Sequence, residues 1–222
     1  MKKTNTLISV FTFLATALFI LSFSISLPIF IRPFYYAHID AFDLPSSSGF
    51  TKTEIKIAYD EVLDYLTNPC TTTFSAGNMK FSSDGAAHFL DCKKLFTTNS
   101  VVLLLSSFFI IFTILFKKRK KITTALFINH SPIFWSGITT LVSTLICGIL
   151  IPLDPESAFT IFHKIFFPGK TNWVFNPYTD EIINVLPQDF FFNCAILIGL
   201  SILILSTLCI TSDFIKKGKS KR

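Results

Sequence analysis

The sequence predicts an all-α integral membrane protein, with four transmembrane helices and a small mixed extracellular cap made of short helices and a β-hairpin. Half of the 222 residues are apolar, only 15% are charged, and the mean hydropathy is +0.56. Four separate stretches contain no charged residue and are long enough to cross a membrane. This composition excludes intrinsic disorder, which requires few apolar and many charged residues, and disfavours a soluble domain.

The four predicted transmembrane helices follow from segment length and charge. A helix needs about 20 residues to cross a hydrocarbon core of about 30 Å, and it satisfies its backbone polar groups within the segment. Thr98, Asn99 and Ser100 precede the shortest apolar stretch and are expected to form an interfacial turn. The predicted organisation is, in order, a cytoplasmic N-terminus with transmembrane helix 1 at 1–30, extracellular cap segment 1 at 31–98, transmembrane helix 2 at 99–116, a basic cytoplasmic loop at 117–132, transmembrane helix 3 at 133–151, extracellular cap segment 2 at 152–189, transmembrane helix 4 at 190–210 and a basic cytoplasmic tail at 211–222.

The positions of the basic residues orient these helices. Twelve of the 20 Lys and Arg residues lie in the N-terminus, the 117–132 loop and the tail, where Asp213 is the only acid. Because short cytoplasmic loops retain Lys and Arg, both termini are expected in the cytoplasm. The net charge of +6 therefore indicates topology and contact with anionic membrane lipid, and no nucleic-acid partner is expected.

Two helices are predicted in cap segment 1. Thr51 is followed three residues later by Glu54, which is the spacing of a capping box, and apolar residues then recur at helical spacing until Asn68. A second helix is expected to begin near Ser82. It contains Gly85, which weakens a helix by about 1 kcal/mol relative to Ala.

One helix and one hairpin are predicted in cap segment 2. Asp154 suits the N-cap position and Pro155 the first helical position, and the helix should stop at Pro168. Two short runs rich in β-formers, 173–175 and 182–185, flank a turn-forming stretch. This arrangement favours a β-hairpin.

The four histidines are the main candidates for chemistry in this chain. His38 is expected in an aromatic belt at the membrane surface, and His130 is expected to be an interfacial polar residue. His88, with Asp91 one helical turn later to orient it, and His163, among phenylalanines, are the candidate catalytic pair. For each of the two, a structural role as a buried cap histidine remains the alternative.

Other reactive groups are not supported by the spacing of residues. The chain lacks the HExxH and paired CxxC patterns of zinc sites, so no metal and no cofactor are expected, although Asp91 or Asp180 leaves a loose metal site open. It also lacks the GxSxG motif of serine hydrolases. Cys70 and Cys92 are both placed outside the membrane, where a disulfide and two separate thiols are both compatible with their spacing.

Three stretches around these residues resemble a known family. The stretch FHKIFFPGKTNWVFNPYTDEIINVLPQDFF, which begins at Phe162, is similar to the signature of the bacterial lipoprotein intramolecular transacylase (Lit) family. So are the HFLD run that begins at His88 and the RPFYY run that begins at Arg32. The resemblance covers essentially the whole chain, with Cys92 standing where an aliphatic residue is expected. It implies a four-helix enzyme of the bacterial plasma membrane, with its active site at the outer cap–membrane interface, whose two catalytic histidines match His88 and His163.

The resemblance also implies a reaction and a substrate. A diacylglyceryl lipoprotein would pass the acyl chain of its glyceryl sn-2 position to the α-amino group of its own N-terminal cysteine. The product would be the lyso form, an N-acyl S-monoacylglyceryl lipoprotein. Because ester and amine belong to one molecule, no acyl-enzyme is needed, and an imidazole can deprotonate an amine whose pKa is about 7.7 to 8.0.

Roles within the site follow from these expectations. His163 is the preferred base and His88, beside Asp91, the preferred donor to the oxyanion or leaving oxygen, although the reverse assignment stays open. The residues expected to bind substrate or line the pocket are Tyr35, Tyr36, Asp91, Phe162, Phe166, Asn172 and Trp173. The alternative function is a non-enzymatic membrane protein whose aromatic cap binds lipid or a protein partner.

Overall fold

The computed structural model describes residues 3–150 and 154–220 of the chain. Within this part the main elements are helices, with one short pair of strands. The helices are α1 (Thr6–Phe30), α2 (Arg32–Ala41), α3 (Leu44–Ser48), α4 (Lys52–Thr67), α5 (Ser83–Lys120), α6 (Pro132–Leu150), α7 (Pro155–Phe166) and α8 (Gln188–Ser220), and a 3₁₀ helix covers Glu181–Asn184. The strands are β1 (Lys3–Asn5) and β2 (Ile122–Thr124), which pair in parallel with Lys3 opposite Ile122.

Four helices are long and apolar enough to cross a membrane. These candidate spans are Thr6–Phe30, Ser83–Lys120, Pro132–Ile149 and Gln188–Gly218. The predicted class of a helical membrane protein with four transmembrane helices is therefore confirmed. The segment boundaries stay predictions, and those that involve residues 1–2, 151–153 and 221–222 lie outside the described residues.

The interfacial turn expected at Thr98 to Ser100 is wrong, because α5 runs through these residues without a break. The Thr98 hydroxyl donates to the carbonyl of Lys94, 2.7 Å away and one turn earlier. The side-chain amide of Asn99 donates to the Ser26 hydroxyl of α1 at 2.9 Å. Since both polar side chains find partners while the backbone stays helical, nothing in this stretch forces the helix to end.

The predicted β-hairpin is also wrong. The stretch 173–185 forms successive turns and then the 3₁₀ helix Glu181–Asn184. Its hydrogen bonds are local: the amides of Thr179 and Asp180 both donate to the carbonyl of Asn176, at 3.0 and 2.8 Å. These short-range bonds satisfy the backbone groups that a hairpin would have paired across two strands.

The described chain divides into two compact units. The membrane unit consists of 3–26, 99–150 and 197–220, and the cap unit consists of 27–98 and 154–196. Each unit therefore draws on separate parts of the sequence, and the cap unit contains parts of both predicted extracellular segments.

Small residues allow close helix packing inside the membrane unit. A Cβ atom added at Gly137 of α6 would lie 2.7 Å from the carbonyl oxygen of Ser206 in α8, so these helices meet backbone to backbone. Thr140 and Ser206 share a buried hydrogen bond of 2.8 Å between their hydroxyls. Ser136 donates to the carbonyl of Phe13 in α1 at 2.9 Å. Small residues and hydroxyl bonds of this kind hold membrane helices together where no hydrophobic driving force exists.

The structure confirms two of the helix caps predicted for the cap unit. The predicted capping box is confirmed: the Thr51 hydroxyl accepts from the Glu54 amide, and the Glu54 carboxylate accepts from the Thr51 amide. The N-cap of α7 is confirmed as well, since the Asp154 carboxylate accepts from the Ser157 amide at 2.9 Å.

The cap unit has a hydrophobic core of its own, built around α4. The core includes Tyr35, Ile39, Ile55, Ala58, Tyr59, Val62, Phe74, Ile182, Val185 and Phe190. Residues of both predicted cap segments thus share one core.

Candidate active site

The two candidate histidines lie against each other inside the cap unit. His88 comes from the first turns of α5, ahead of the predicted membrane-spanning stretch at 99–116, and His163 comes from α7. Their ring centroids are 5.4 Å apart, with the ring planes inclined by 38°. Only 5% of the surface of His88 and 6% of that of His163 is exposed. Two buried imidazoles in contact are an unusual arrangement for a purely structural core.

The hydrogen bond of His163 defines its tautomer. Nδ1 lies 2.7 Å from the carbonyl oxygen of Phe159, one turn earlier in α7. A carbonyl can only accept, so Nδ1 carries the proton and Nε2 of the neutral ring carries the lone pair. Nε2 has no hydrogen-bond partner among the residues that the structure describes. Burial lowers the pKa of His163, against the opposing effect of the Phe159 carbonyl, so the ring favours its neutral, basic form.

His88 has one thiol neighbour and one unpaired nitrogen. Its Nε2 lies 3.3 Å from Sγ of Cys92, one turn later in α5. Its Nδ1 is fully buried and has no hydrogen-bond partner in residues 3–150 and 154–220. Burial, reinforced by the neighbouring His163, lowers the pKa of His88 to about 4. His88 is therefore neutral at neutral pH.

Asp91 does not orient His88, because its carboxylate bonds elsewhere, and the expectation that His88 is readily protonated is wrong, because burial and His163 outweigh the charge of Asp91, which by itself raises the pKa of His88. One carboxylate oxygen of Asp91 bonds to Nζ of Lys94 at 3.1 Å, and the other bonds to Nζ of Lys170. The two ammonium groups neutralise the carboxylate, and Lys170 itself opposes protonation of His88. Asp91 instead ties α5 to the segment that follows α7. Lys170 was missed because nothing in the sequence pairs it with an acid 79 residues away.

Aromatic rings enclose the histidine pair. Trp173 stacks on His163 with centroids 4.7 Å apart and an interplanar angle of 27°, and its Nε1 donates to the carbonyl of Lys170 at 2.9 Å. Phe167 contacts both imidazoles, at 4.9 Å from His88 and 5.7 Å from His163. Phe175 lies 5.5 Å from His88. Phe175 is not predicted as a site residue, because nothing near it in the sequence distinguishes it from the rest of the 27 phenylalanines.

Phe162 and Phe166 occupy the outer side of α7. Phe162 touches His163 edge to face at 5.3 Å and packs on Phe166 at 4.6 Å. The two residues remain 46% and 50% exposed. They form an apolar surface beside the pair rather than a closed wall around it.

Tyr35 and Tyr36 belong to the cap core and its surface. Tyr35 is fully buried, stacks on Tyr59 at 3.8 Å and donates its hydroxyl proton to the carbonyl of Val185 at 2.7 Å. The hydroxyl of Tyr36 donates to the carboxylate of Asp60 at 2.7 Å. Among the described residues, neither tyrosine has a ring contact or hydrogen bond with a catalytic candidate. The structure thus does not bring them to the pair.

A cleft of about 450 Å³ lies between α5 and the segment that follows α7, and His88 does not line it. Asn172 lines this cleft, and its Oδ1 is buried without a hydrogen-bond partner in the described part of the chain. The other lining residues are Asp84, Ala87, Leu90, Asp91, Gly169, Lys170 and Thr171. The cleft therefore offers an unused amide oxygen and the Asp91–Lys170 ion pair to a polar ligand.

Gly85 and Asp180 fix the start of α5 to cap segment 2. The Asp180 carboxylate accepts from both the amide and the hydroxyl of Ser82, each at 2.8 Å. A Cβ atom at Gly85 would lie 2.2 Å from Oδ1 of Asp180. The glycine that weakens the helix locally is thus required for the carboxylate that holds the first turn in place. This contact positions the helix that carries His88.

The other two histidines are bonded to groups outside the candidate pair. Nδ1 of His38 bonds to the carbonyl of Phe34 at 2.7 Å, and Nε2 lies 3.0 Å from the amide nitrogen of Asn193. His130 lies in the membrane unit, with Nδ1 2.8 Å from the Asp213 carboxylate. Both nitrogens of His38 are therefore engaged.

Metal ligands and disulfides play no visible part in this arrangement. No group of three or more His, Cys, Asp or Glu residues is placed to hold a metal ion within the described ranges. Cys70 is exposed and Cys92 is half-buried against His88, and both are free thiols. The site therefore consists of imidazoles, a thiol, an amide and aromatic rings.

Comparison with known proteins relates this geometry to one family. Residues 10–191 match the family model described as lipoprotein intramolecular transacylase Lit. The fold is similar to an in meso structure of the membrane integral lipoprotein intramolecular transacylase Lit from Bacillus cereus, with a TM-score of 0.85 and 26% identity over 97% of both chains. A structure of the same protein with a histidine-to-arginine substitution has a TM-score of 0.78, with 26% identity over 97% of this chain and 94% of that one.

A relative from another organism is matched over a shorter stretch. An uncharacterized protein of Aquifex aeolicus (strain VF5) is 30% identical over 89 residues. This match covers 38% of the present chain and 40% of the relative. The present chain thus spans less than half the length of that relative.

Proposed function

Because the chain belongs to the lipoprotein intramolecular transacylase Lit family and is an acyltransferase, we propose that it moves the sn-2 acyl chain of a diacylglyceryl lipoprotein to the α-amino group of the N-terminal cysteine. The product is the lyso form, an N-acyl S-monoacylglyceryl lipoprotein. Family membership sets aside the non-enzymatic alternative. The observation that carries the specific proposal is the pair of buried, neutral imidazoles of His88 and His163, 5.4 Å apart.

His163 acts as the general base. Its Nε2 holds the lone pair because Nδ1 donates to Phe159, and burial keeps the ring neutral. The substrate ammonium has a pKa of about 7.7 to 8.0, so part of it is the free amine at neutral pH, and a neutral imidazole in contact can remove the proton that the nitrogen loses after it attacks the ester. The face of Trp173 on the imidazole stabilises the cation that forms.

His88 acts as the donor to the developing oxyanion. The free amine attacks the ester carbonyl, a C–N bond forms, and the tetrahedral intermediate carries a negative oxygen. An N–H at Nδ1 of His88, which has no partner within the described chain, is available to this oxygen. The nitrogen, which attacked as NH2 after its ammonium proton had left to solvent, is now positively charged, and Nε2 of His163 removes one of its two remaining protons. The C–O bond to the glyceryl oxygen then breaks and this proton passes to that oxygen, so the products are an amide N–H and a glyceryl hydroxyl.

The reaction needs no protein nucleophile because both reacting groups belong to the substrate. Holding an ester and an amine together can supply about 7 to 11 kcal/mol of the barrier through effective molarity. Water would compete with the amine for the ester. Phe167, Phe175 and Trp173 are placed to exclude it from the histidine pair.

The other predicted residues have distinct proposed roles. The exposed surface of Phe162 and Phe166 contacts the acyl chains or the surrounding membrane lipid. Asn172 can accept a hydrogen bond from the amine with its unpartnered Oδ1, or donate one to the oxyanion with its side-chain N–H groups. Tyr35 and Tyr36 act indirectly, by packing the cap core. The site faces outward and both termini are cytoplasmic, as the basic loop and tail indicate.

The proposal is tested by expressing wild type, His88→Ala, His163→Ala and, as a control, His130→Gln in cells that make diacylglyceryl lipoproteins. Mass spectrometry of the N-terminal lipopeptide then locates the acyl chains. Wild type and His130→Gln should yield the N-acyl lyso form, and each alanine variant should lose about 100-fold or more of the conversion rate. Unchanged diacyl lipoprotein in cells with folded wild-type protein would refute the proposed reaction. Full conversion by either alanine variant would refute the role of that histidine.

A further inference from the structure

The thiol of Cys92 is the only polar side chain that the described structure places on a nitrogen of His88. Sγ lies 3.3 Å from Nε2, one helical turn after the histidine on the same face of α5. Cys92 is half-buried and is not bonded to another cysteine. The sequence marks Cys92 only as a possible disulfide partner and as a departure from the family pattern, and gives it no role beside His88, because a lone cysteine in a helix is most often a small packing residue.

The direction of this hydrogen bond decides where His88 carries its proton. A thiol is a weak donor and a weaker acceptor, whereas a neutral imidazole nitrogen is a good acceptor. Burial raises the pKa of the Cys92 thiol to about 12, so the sulfur retains its proton. The S–H group therefore donates to Nε2, and the ring proton lies on Nδ1.

Nδ1 of His88 is the second observation that points the same way. It is buried within a side chain that is 5% exposed, and it has no hydrogen-bond partner among the described residues. A buried N–H without a partner is costly unless a ligand completes it. In the proposed reaction, the oxyanion is that ligand.

We infer that Cys92 is a positioning residue whose S–H donates to Nε2 of His88 and so holds the N–H of this histidine at Nδ1, towards the reacting ester. This inference rests on the proposed function, because the tautomer matters only if His88 donates a proton or hydrogen bond. The two histidines then have complementary roles. The Phe159 carbonyl holds the proton of His163 on Nδ1, so that Nε2 of this ring can act as a base, and the Cys92 thiol occupies Nε2 of His88, so that Nδ1 of that ring can act as a donor.

Cys92 as an acylated nucleophile is the competing hypothesis. A thiol beside an imidazole resembles a cysteine–histidine dyad, but the nucleophile in such a dyad is the thiolate. The raised pKa of Cys92 opposes thiolate formation. The two hypotheses predict opposite results for serine at this position.

The matched variants Cys92→Ser and Cys92→Ala decide between them. The two replacements are similar in size, and only serine can donate to Nε2. With purified full-length protein and a synthetic diacylglyceryl lipopeptide, Cys92→Ser should keep kcat within about threefold of wild type. Cys92→Ala should lose about 10- to 100-fold in kcat, with KM unchanged, as when the outer hydrogen-bond partner of a functional histidine is removed.

An infrared measurement tests the hydrogen bond without relying on activity. In a variant that keeps Cys92 as its single cysteine, the S–H stretching band should lie at the low frequency of a donating thiol. It should move to higher frequency when His88→Ala is added. If wild type converts no lipopeptide, the proposed function fails, and the band alone still reports whether the hydrogen bond exists.

Three outcomes would overturn the inference. Equal kcat values for the serine and alanine variants would reduce Cys92 to a packing residue. An S–H stretching band that keeps its frequency when His88→Ala is added would show that the Cys92 thiol does not donate to His88. Loss of activity in both variants, together with acylated Cys92 in wild type, would make the thiol a nucleophile.

Discussion

Protonation at single residues decides what the histidine pair can do. His88 and His163 are both buried among aromatic rings, and burial lowers the pKa of each. A pair of cationic rings in contact would repel, so one proton at most is accommodated at a time. The neutral pair can accept a proton from the amine at one ring while the other donates a hydrogen bond.

The pKa of His88 predicts a loss of stability in acid. The folded pKa of about 4 lies below the ordinary value of 6.5, so the unfolded chain binds more protons between these values and stability falls as the pH is lowered from 6.5 to 4. The unfolding temperature in detergent should therefore decline over this range. It should decline less in His88→Gln, which does not titrate. Parallel declines in both proteins would contradict the low pKa.

The contact between Gly85 and Asp180 predicts a sensitive position. Gly85→Ala places a methyl group 2.2 Å from the Asp180 carboxylate and should destabilise the protein by about 1 to 3 kcal/mol through overpacking. Gly199→Ala is the matched control, because no atom lies within 4 Å of the added methyl. Thermal unfolding of the two variants in one detergent compares them. A Gly85→Ala protein as stable as Gly199→Ala would mean that Asp180 moves without cost.

At the scale of elements, the long α5 helix joins parts of both units. Its first turns carry His88 and Cys92 in the cap unit, and its later turns contain the apolar stretch of the membrane unit. Asp180 secures its first turn, and Lys170 bonds to Asp91 one turn beyond His88. The histidine is thus held on a regular helix, which fixes a side chain more closely than a loop does.

Thr98→Pro tests the continuity of this helix. In an interfacial turn proline would be tolerated, but inside α5 it removes a backbone hydrogen bond and clashes with the preceding turn, at a cost of about 3 kcal/mol. Thr98→Ala loses only the side-chain bond to Lys94 and serves as the control. Thermal unfolding should separate the two variants clearly. Equal unfolding temperatures for Thr98→Pro and Thr98→Ala would support an interfacial turn at this position instead of a continuous helix.

At the scale of the whole molecule, the predicted orientation of the protein in the membrane depends on the opposite net charges of the segments predicted on its two sides. The loop and tail are strongly basic, and 13 of the 14 acids lie in the other segments. Such a distribution predicts that the basic side faces the cytoplasm. In this proposed orientation the cap unit, with both candidate histidines, would lie outside, where a lipoprotein with a free N-terminal cysteine would meet it.

Thiol labelling tests this orientation in intact cells. Cys70 is exposed in the cap unit and should react with a membrane-impermeant maleimide without lysis. Lys118→Cys, on a Cys70→Ser background, should be labelled only after the cells are permeabilised. Cys70→Ser alone controls for the remaining thiols. The opposite labelling pattern would invert the topology.

The sequence by itself determined the membrane class, the number of candidate spans and the caps of α4 and α7, whereas its choice of His88 and His163 as catalytic residues stays a prediction. These features depend on apolar length and on residues three or four positions apart, which are visible locally. Two local expectations failed because other hydrogen bonds, from side chains in one case and from the backbone in the other, satisfied the polar groups involved. The Thr98 turn was replaced by a helix and the hairpin by turns and a 3₁₀ helix.

Only the tertiary structure decided what surrounds each histidine. It pairs Asp91 with Lys170 instead of His88, places Cys92 on Nε2 and stacks Trp173 on His163. Most of these contacts join residues far apart in the chain, or choose one neighbour among several on the same helix. No periodicity encodes that choice, because it depends on which groups are buried together and which charges are already neutralised. For this reason the histidines could be named from the sequence, whereas their tautomers required the fold.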